Sequence, residues 1–177
     1  MSDLTIREAG PGDVHRIAEI DKACFSAPWS EESFRVEMEE NAVAFYLAAE
    51  MDGEVIGYAG LWWLNEEGHI TNVAVHPDCR GKHVATCLLD CLIDFCENEG
   101  IRAFTLEVRP TNEKAIALYE KFAFVDVGRR PRYYEDNHED AIIMWRVTDK
   151  NGFPVLDKKK LEKVMAEISA EEDKDRI

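Results

Sequence analysis

The sequence predicts one domain of the α/β class (α+β in some schemes), a mixed sheet with helices packed on it. Three observations predict it. Apolar residues switch repeatedly between a period of two and helical spacing along the chain. Turn and cap residues fall at the switches. The 177 residues, 46% of them hydrophobic, are enough for a sizeable core.

The elements follow in order. Residues 4 to 7 read as an opening strand, and Asp13 can cap a helix reaching Cys24, with Val14, Ile17 and Ala18 on its apolar stripe. "SAPWS" breaks that helix, and Ser30 can cap a second carrying Phe34 and Met38. "AFYLAAEM", Asp52-Gly53 and "EVIGYAGLWWL" spell a hairpin. "HITNVAV" is a strand ended by His76-Pro77, and a helix from about His83 to Glu99 is closed by Gly100. "IRAFTLEV" is a strand, "NEKAIALYEKF" a helix, and "FVDVGRR" and "HEDAIIMWRV" complete the sheet. This domain spans about residues 1–148. In the extension 149–177, Leu156, Leu161, Val164, Met165 and Ile168 recur at roughly helical intervals. An amphipathic helix, an oligomer contact or a partly disordered tail would each account for it.

The formal charge of -15 repels nucleic-acid backbones and anionic membrane surfaces, and suits a basic peptide partner. No signal peptide or bilayer-length apolar run is apparent, so a cytoplasmic protein is expected. The five cysteines match no disulfide framework, and Cys87, Cys91 and Cys96 read as reduced core residues. No metal is expected, because no histidine recurs at ligand spacing.

The stretch "VAVHPDCRGKHVATCLL" joins a strand to a helix through a basic turn. A helix N-terminus exposes unpaired N–H groups and a partial positive charge, both suited to phosphate. Gly81 permits close backbone approach, and Arg80 and Lys82 add charge. Neither a P-loop nor a dinucleotide fingerprint is present.

Taken with "LEV" at 106–108 and "NEKAIALYEKFAF" at 112–124, that stretch resembles the acyl-coenzyme-A-binding core of the GNAT superfamily of N-acetyltransferases. The likeness is nearest to its bacterial branch that acetylates the N-terminal alanine of a small-subunit ribosomal protein. "IREAGPGDVHRIAEIDKACFSAPWS" and "PRYYEDNHEDAIIM" share it, so it covers nearly all of residues 4–147. It implies a mixed, mostly antiparallel sheet with splayed central strands and helices on both faces.

It also implies acetyl-CoA as cosubstrate, with the pyrophosphate held by Arg80, Gly81, Lys82, His83, Val84 and Ala85. Val73, Ala74 and Val75 would hold the pantetheine arm, and Asn112 would contact the cofactor. Glu107 would be the base and Tyr119 the acid for direct transfer to an amine. Trp29, Tyr133 and Tyr134 would face a peptide. Two positions depart from the pattern: His83 and Ala123 stand where glycine is usual. Alternation independently sets Ala103, Thr105 and Glu107 on one strand face, making Glu107 a carboxylate between Leu106 and Val108. A surface glutamate at a strand end and a packed aromatic are the bland readings of Glu107 and Tyr119.

The expected activity is therefore acetylation of a protein N-terminus, with a ribosomal protein as partner and no nucleic acid or membrane involved. Asp21, Glu31 and Glu32 could attract a basic N-terminus, while His69, His76 and His138 receive no role. Alternatives are a lysine or small-molecule acceptor, and a non-catalytic acetyl-CoA-binding regulatory module.

Overall fold

The computed structural model describes residues 3–175. Among them, seven strands form a mixed sheet in the order β1-β2-β3-β4-β5-β7-β6, numbered along the chain, accompanied by five helices. The chain divides into two compact units, residues 1–63 with 70–96 and residues 64–69 with 97–177.

In the first unit, β1 (Leu4–Glu8) pairs antiparallel with β2 (Ala44–Met51), and β2 with β3 (Glu54–Leu64). Asp52 and Gly53 both lie at positive φ, +53° and +82°. A type I′ turn requires that, and its twist matches that of the flanking strands. Helices α1 (Val14–Cys24) and α2 (Glu31–Glu39) supply Ile17, Ile20 and Phe34 to the core. There Phe34 meets Tyr58 and Tyr46 edge-on.

Ser30 caps α2 as expected, its Oγ accepting from the Ser33 N–H at 3.0 Å. Asp13 precedes α1 but makes no side-chain cap. Its carboxylate instead accepts from Arg7 and from the Gly10 N–H, tying the preceding turn to β1. Helix α3 (Val84–Asn98) buries Leu88, Leu89, Leu92, Ile93 and Cys96. The core reading of its cysteines holds for Cys96 only: Cys87 is half-buried and Cys91 exposed. The reason is helical spacing, since Cys91 falls outside the stripe set by residues 89, 92, 93 and 96.

Strand β4 (Glu67–Val75) contributes Ile70–Val75 to the first unit and Glu67–His69 to the second. Those first three residues pair in parallel with Ala103, Phe104 and Thr105 of β5 (Ala103–Val108). Strand β7 (Ala141–Val147) lies antiparallel between β5 and β6 (Val125–Arg130).

Helix α4 (Glu113–Lys121) ends in a full Schellman turn. The Ala123 N–H reaches the Glu120 carbonyl at 3.0 Å and the Phe124 N–H reaches that of Tyr119 at 3.1 Å. Ala123 occupies the left-handed position, φ +62°.

After β7 the chain turns back through a Thr148–Pro154 bridge into helix α5 (Lys158–Asp175). Leu161, Val164 and Ile168 are buried against Ala103, Val147 and Val155. Leu156 departs from the expected stripe: it precedes the helix and is exposed. No described helix is long and apolar enough to cross a membrane.

Candidate active site

The chemistry-bearing side chains of the second unit gather around Glu107. Alternation along β5 turns Phe104, Leu106 and Val108 into the core and leaves Thr105 and Glu107 on the other face. The Glu107 carboxylate is nonetheless only 6% exposed, and both of its oxygens have cationic or hydrogen-bonding partners. Oε2 lies 2.9 Å from His69 Nε2 and Oε1 lies 2.9 Å from Arg130 Nε. Burial pushes this carboxyl up; the His69 hydrogen bond and the charges of His69 and Arg130 outweigh it and hold the group below the usual range. A buried carboxylate with this pairing is ionised at neutral pH.

His69 and Arg130 come from β4 and β6, the elements on either side of the β5–β7 pair. The sequence reading gave His69 no role and did not consider Arg130. The signal was the parallel register, which aligns His69 with Thr105, two residues from Glu107 on the same face. Register is a property of the pairing, and one strand read alone does not contain it.

Tyr119 points inward from α4, 9% exposed, with its ring 5.7 Å from that of Phe124. Burial drives its phenol well above the ordinary range, and Tyr134 adds to the effect. The group is therefore protonated at neutral pH, as a proton donor must be.

Tyr133 and Tyr134 lie in the loop after β6, with their rings edge-on at 5.1 Å. Burial raises both phenols, that of Tyr134 to about 12, and the Glu107 charge adds to both shifts. The Arg109 guanidinium stacks 3.8 Å over the Tyr134 ring and pairs with Asp136 and Glu139. Arg109 thus anchors the loop, another contribution that sequence reasoning missed. Asn112 caps α4, its Oδ1 accepting from the Ala115 N–H at 3.3 Å. That use of the side chain is structural.

In the first unit, Val73, Ala74 and Val75 end β4, the last two buried. The Val75 carbonyl accepts from Arg80 Nε at 3.2 Å and Cys24 Sγ at 3.3 Å. Arg80 is therefore braced against the strand end. Gly81 and His83 both take left-handed backbone, φ +79° and +60°. Lys82 stands exposed between them, and Val84 and Ala85 open α3.

Arg80, before Gly81 and His83, is extended, φ -68° and ψ 163°, so the sign of φ reverses at Gly81, and such reversals in a turn can bring N–H groups to one side, as in anion-binding concavities. A Cβ added at Gly81 would meet nothing within 4 Å, so the loop is open to a bulky group. With the unpaired N–H groups of the first turn of α3 and two cationic side chains, these residues fit a pyrophosphate.

Trp29 is fixed from two sides: its N–H donates to Asp21 Oδ2 at 2.7 Å and its ring packs 5.5 Å from Phe34. Asp21 itself is 1% exposed and also accepts from the Tyr58 hydroxyl. It is a buried anchor and is not placed to attract a basic peptide. Glu31 and Glu32 are engaged as well, by His15 and Arg35.

Residues 14–124 match the family model described as "Acetyltransferase (GNAT) family". A Bacillus subtilis protein named "Putative ribosomal protein bS18-alanine N-acetyltransferase" is 40% identical over 75% of this chain and 88% of its own. The Escherichia coli ribosomal protein bS18-alanine N-acetyltransferase is 34% identical over 79% and 95%. The crystal structure of the Escherichia coli ribosomal-protein-S18-alanine N-acetyltransferase superposes with a TM-score of 0.75 at 32% identity, covering 81% of this chain and 92% of that one. The motif residues, the seven-stranded mixed sheet and these likenesses agree, and the chain belongs to the GNAT family of acetyltransferases.

Proposed function

We propose that this protein transfers the acetyl group of acetyl-CoA to the N-terminal α-amino group of a protein. A ribosomal protein beginning with alanine is the acceptor suggested by the names of its relatives. The observation that carries the reading is the placing in one unit of Glu107 of β5, its oxygens 2.9 Å from His69 Nε2 and Arg130 Nε, and the buried Tyr119 of α4.

Direct transfer has three needs: a neutral amine, a polarised carbonyl and a protonated leaving thiolate. Acetyl-CoA, when bound, supplies the thioester. Glu107 serves as the base that draws the proton from the amine, and Tyr119 as the acid that delivers one to sulfur. Arg80, Gly81, Lys82, His83, Val84 and Ala85 hold the pyrophosphate, and the Val73–Val75 strand end aligns the pantetheine arm. Trp29, Tyr133 and Tyr134 border the acceptor peptide. Asn112 contributes by fixing the start of α4, the helix that carries Tyr119.

An α-amino group has an ordinary pKa near 8, against about 10.4 for lysine. The neutral nucleophile is therefore far more abundant at a protein N-terminus. Two peptides test the acceptor, one with a free N-terminal alanine and an internal lysine, the other identical but blocked at its N-terminus. Mass spectrometry should find acetyl on the α-nitrogen of the first and none on the second. Equal acetylation of lysine in the blocked peptide would overturn the acceptor assignment. A variant carrying Glu107→Gln or Tyr119→Phe should lose about 10²–10⁴-fold in kcat; turnover within twofold of wild type, with chemistry rate-limiting, would remove the residue from its role.

A further inference from the structure

We propose that α5 and the sheet beside it form a subsite for an aromatic side chain near the N-terminus of the acceptor peptide, with Met165 and Trp145 as the residues that select it. The inference rests on the reading of N-terminal acetylation above and names a side chain that such an acceptor carries close to its amine.

The sheet face that bears Glu107 is unevenly covered. Register pairs Ala103 with Val147, Thr105 with Trp145 and Glu107 with Ile143, and residues paired in this way share a face. At the Ala103 end α5 lies on that face, with Leu161, Val164 and Ile168 buried against Ala103 and Val147. At the other end stands the Glu107 carboxylate, paired with Arg130. Between the two, over Thr105, lies a cavity of about 220 Å³. Thr105, Ile143 and Trp145 of the sheet, Arg130 at the end of β6 and Met165 of α5 are among the residues that line it, all of them in the second unit.

The position of the cavity ties it to the reaction. Arg130 belongs both to the cavity wall and to Glu107, whose Oε1 its Nε meets at 2.9 Å. Thr105 and Glu107 are two residues apart on β5, roughly 6–7 Å along the strand. An extended peptide advances by at most about 3.3–3.6 Å per residue, and its alternate side chains share a side. A peptide whose amine meets Glu107 and whose chain runs back along β5 therefore brings its third side chain over Thr105.

Size and walls decide what fits. Sites for whole small ligands are roughly 300–1,000 Å³, so this one suits a single side chain. Ile143, Trp145 and Met165 are large apolar groups left half-buried by the fold, and an apolar side chain seated there completes their burial. The lining also favours a ring over an aliphatic chain. A methionine sulfur packs well at a ring edge, an indole packs edge-on or offset against a ring, and a guanidinium is attracted to a ring face. Helix α5 lies beyond residues 14–124, which match the family model, so the wall that Met165 supplies is outside that shared core.

The test uses the full chain and peptides that begin with alanine, contain an internal lysine, and carry phenylalanine or alanine at position 2, 3 or 4. Values of kcat/KM are measured for each peptide at saturating acetyl-CoA, and the acetylated nitrogen is identified by mass. Wild type should prefer phenylalanine over alanine at position 3 by about tenfold or more. Met165→Trp fills the cavity and Met165→Ala removes its wall, and each should bring that ratio to within about threefold of unity. Met165→Leu, of similar volume, should keep most of it. The ratio compares two peptides on one protein, so a purely structural role for Met165, which slows both alike, leaves it unchanged. Failure of Met165→Trp to fold would show in its thermal midpoint, and Met165→Ala then decides against Met165→Leu. No preference at any of the three positions in wild type, or a wild-type ratio retained in the folded tryptophan and alanine variants, would overturn the proposal. A preference at position 2 or 4 that vanishes in those variants would uphold the subsite and correct the path of the peptide. The acceptor reading fails separately, in a product acetylated on lysine alone or in no product. Calorimetry of the same peptides with the coenzyme-A-saturated protein then gives the ratio without turnover, and equal affinities for phenylalanine and alanine peptides would sink the subsite.

Discussion

Replacing Ala123 with glycine should stabilise the protein, although it removes a methyl group and nothing else. Ala123 holds the left-handed position of the turn that ends α4, at φ +62°. For a residue with a Cβ that conformation costs about 1–2 kcal/mol. Glycine adopts it freely but loses more freedom on folding, a penalty of about 0.5–1 kcal/mol. The difference leaves a net gain of about 0.5–1 kcal/mol, and a chain of this size shifts by roughly 2–4 °C per kcal/mol. The Tm from circular dichroism should therefore rise by about 1–4 °C. Ala117→Gly, at an exposed site inside the same helix, is the control: an identical chemical change should cost about 1 kcal/mol there. The turn also bonds the Tyr119 carbonyl and packs the Phe124 ring, tilted, against that of Tyr119; glycine keeps both contacts, so kcat should change little in Ala123→Gly. A Tm that falls in both variants would refute the reasoning, because it would mean the methyl contributes more by packing than it costs in strain.

Other outcomes follow from the same structure. His83→Gly relieves φ +60° in the turn before α3 and should raise Tm by a similar amount; calorimetry with coenzyme A should show no loss of affinity, and a marked loss would give the imidazole ring a binding role. Asp21→Ala strands the Tyr58 hydroxyl and the Trp29 N–H in the core and should cost about 2 kcal/mol or more in urea melts, whereas Asp21→Asn keeps an acceptor and should cost less than half of that. Burial raises the Asp21 carboxyl against the hydrogen bonds from Tyr58, Trp29 and Asn72, so the folded chain holds that proton more tightly than the unfolded one. Its contribution is full below the unfolded pKa and is lost as pH rises through the folded one, so the advantage of wild type over Asp21→Asn should shrink from acid to neutral pH; a gap that widens would contradict this. Leu161→Ala, at a fully buried position on the inner face of α5, should cost about 2–5 kcal/mol by the same melts, and a change under 0.5 kcal/mol would show that α5 is not integral to its unit.

The order of the elements was legible because each is written locally. Alternation marks β5, Asp52-Gly53 marks the hairpin, and Ser30 marks the start of α2. Motifs single out Glu107 and Tyr119 as candidates, and the strand alternation sets the face of Glu107. The partners of Glu107 were not legible. His69 and Arg130 precede and follow it by dozens of residues, and only the pairing of β4 and β6 into the sheet brings them to one carboxylate. Asp21 was misread for a related reason. An acid on an amphipathic helix looks exposed until an aromatic hydroxyl and a backbone N–H from other segments are seen to consume it.

The two glycine positions that this sequence vacates bear on how such a site is specified. At both His83 and Ala123 the backbone keeps a left-handed conformation, φ +60° and +62°. Glycine is therefore not what creates the conformation. The surrounding turn does: the His83 carbonyl accepts from the Cys87 N–H at 3.0 Å to start α3, and the paired bonds to Glu120 and Tyr119 close α4. With one such hydrogen bond at His83 and two at Ala123, each worth about 0.5–1.5 kcal/mol, a strain of about 1–2 kcal/mol per site is offset in part and tolerated. The N–H groups that the proposed pyrophosphate site would use belong to the backbone, so they are present with histidine at position 83 as they would be with glycine. A motif written as glycines thus describes the least strained solution. The physical requirement is the φ angle, and this chain meets it at a cost in stability and without losing the N–H groups the motif presents.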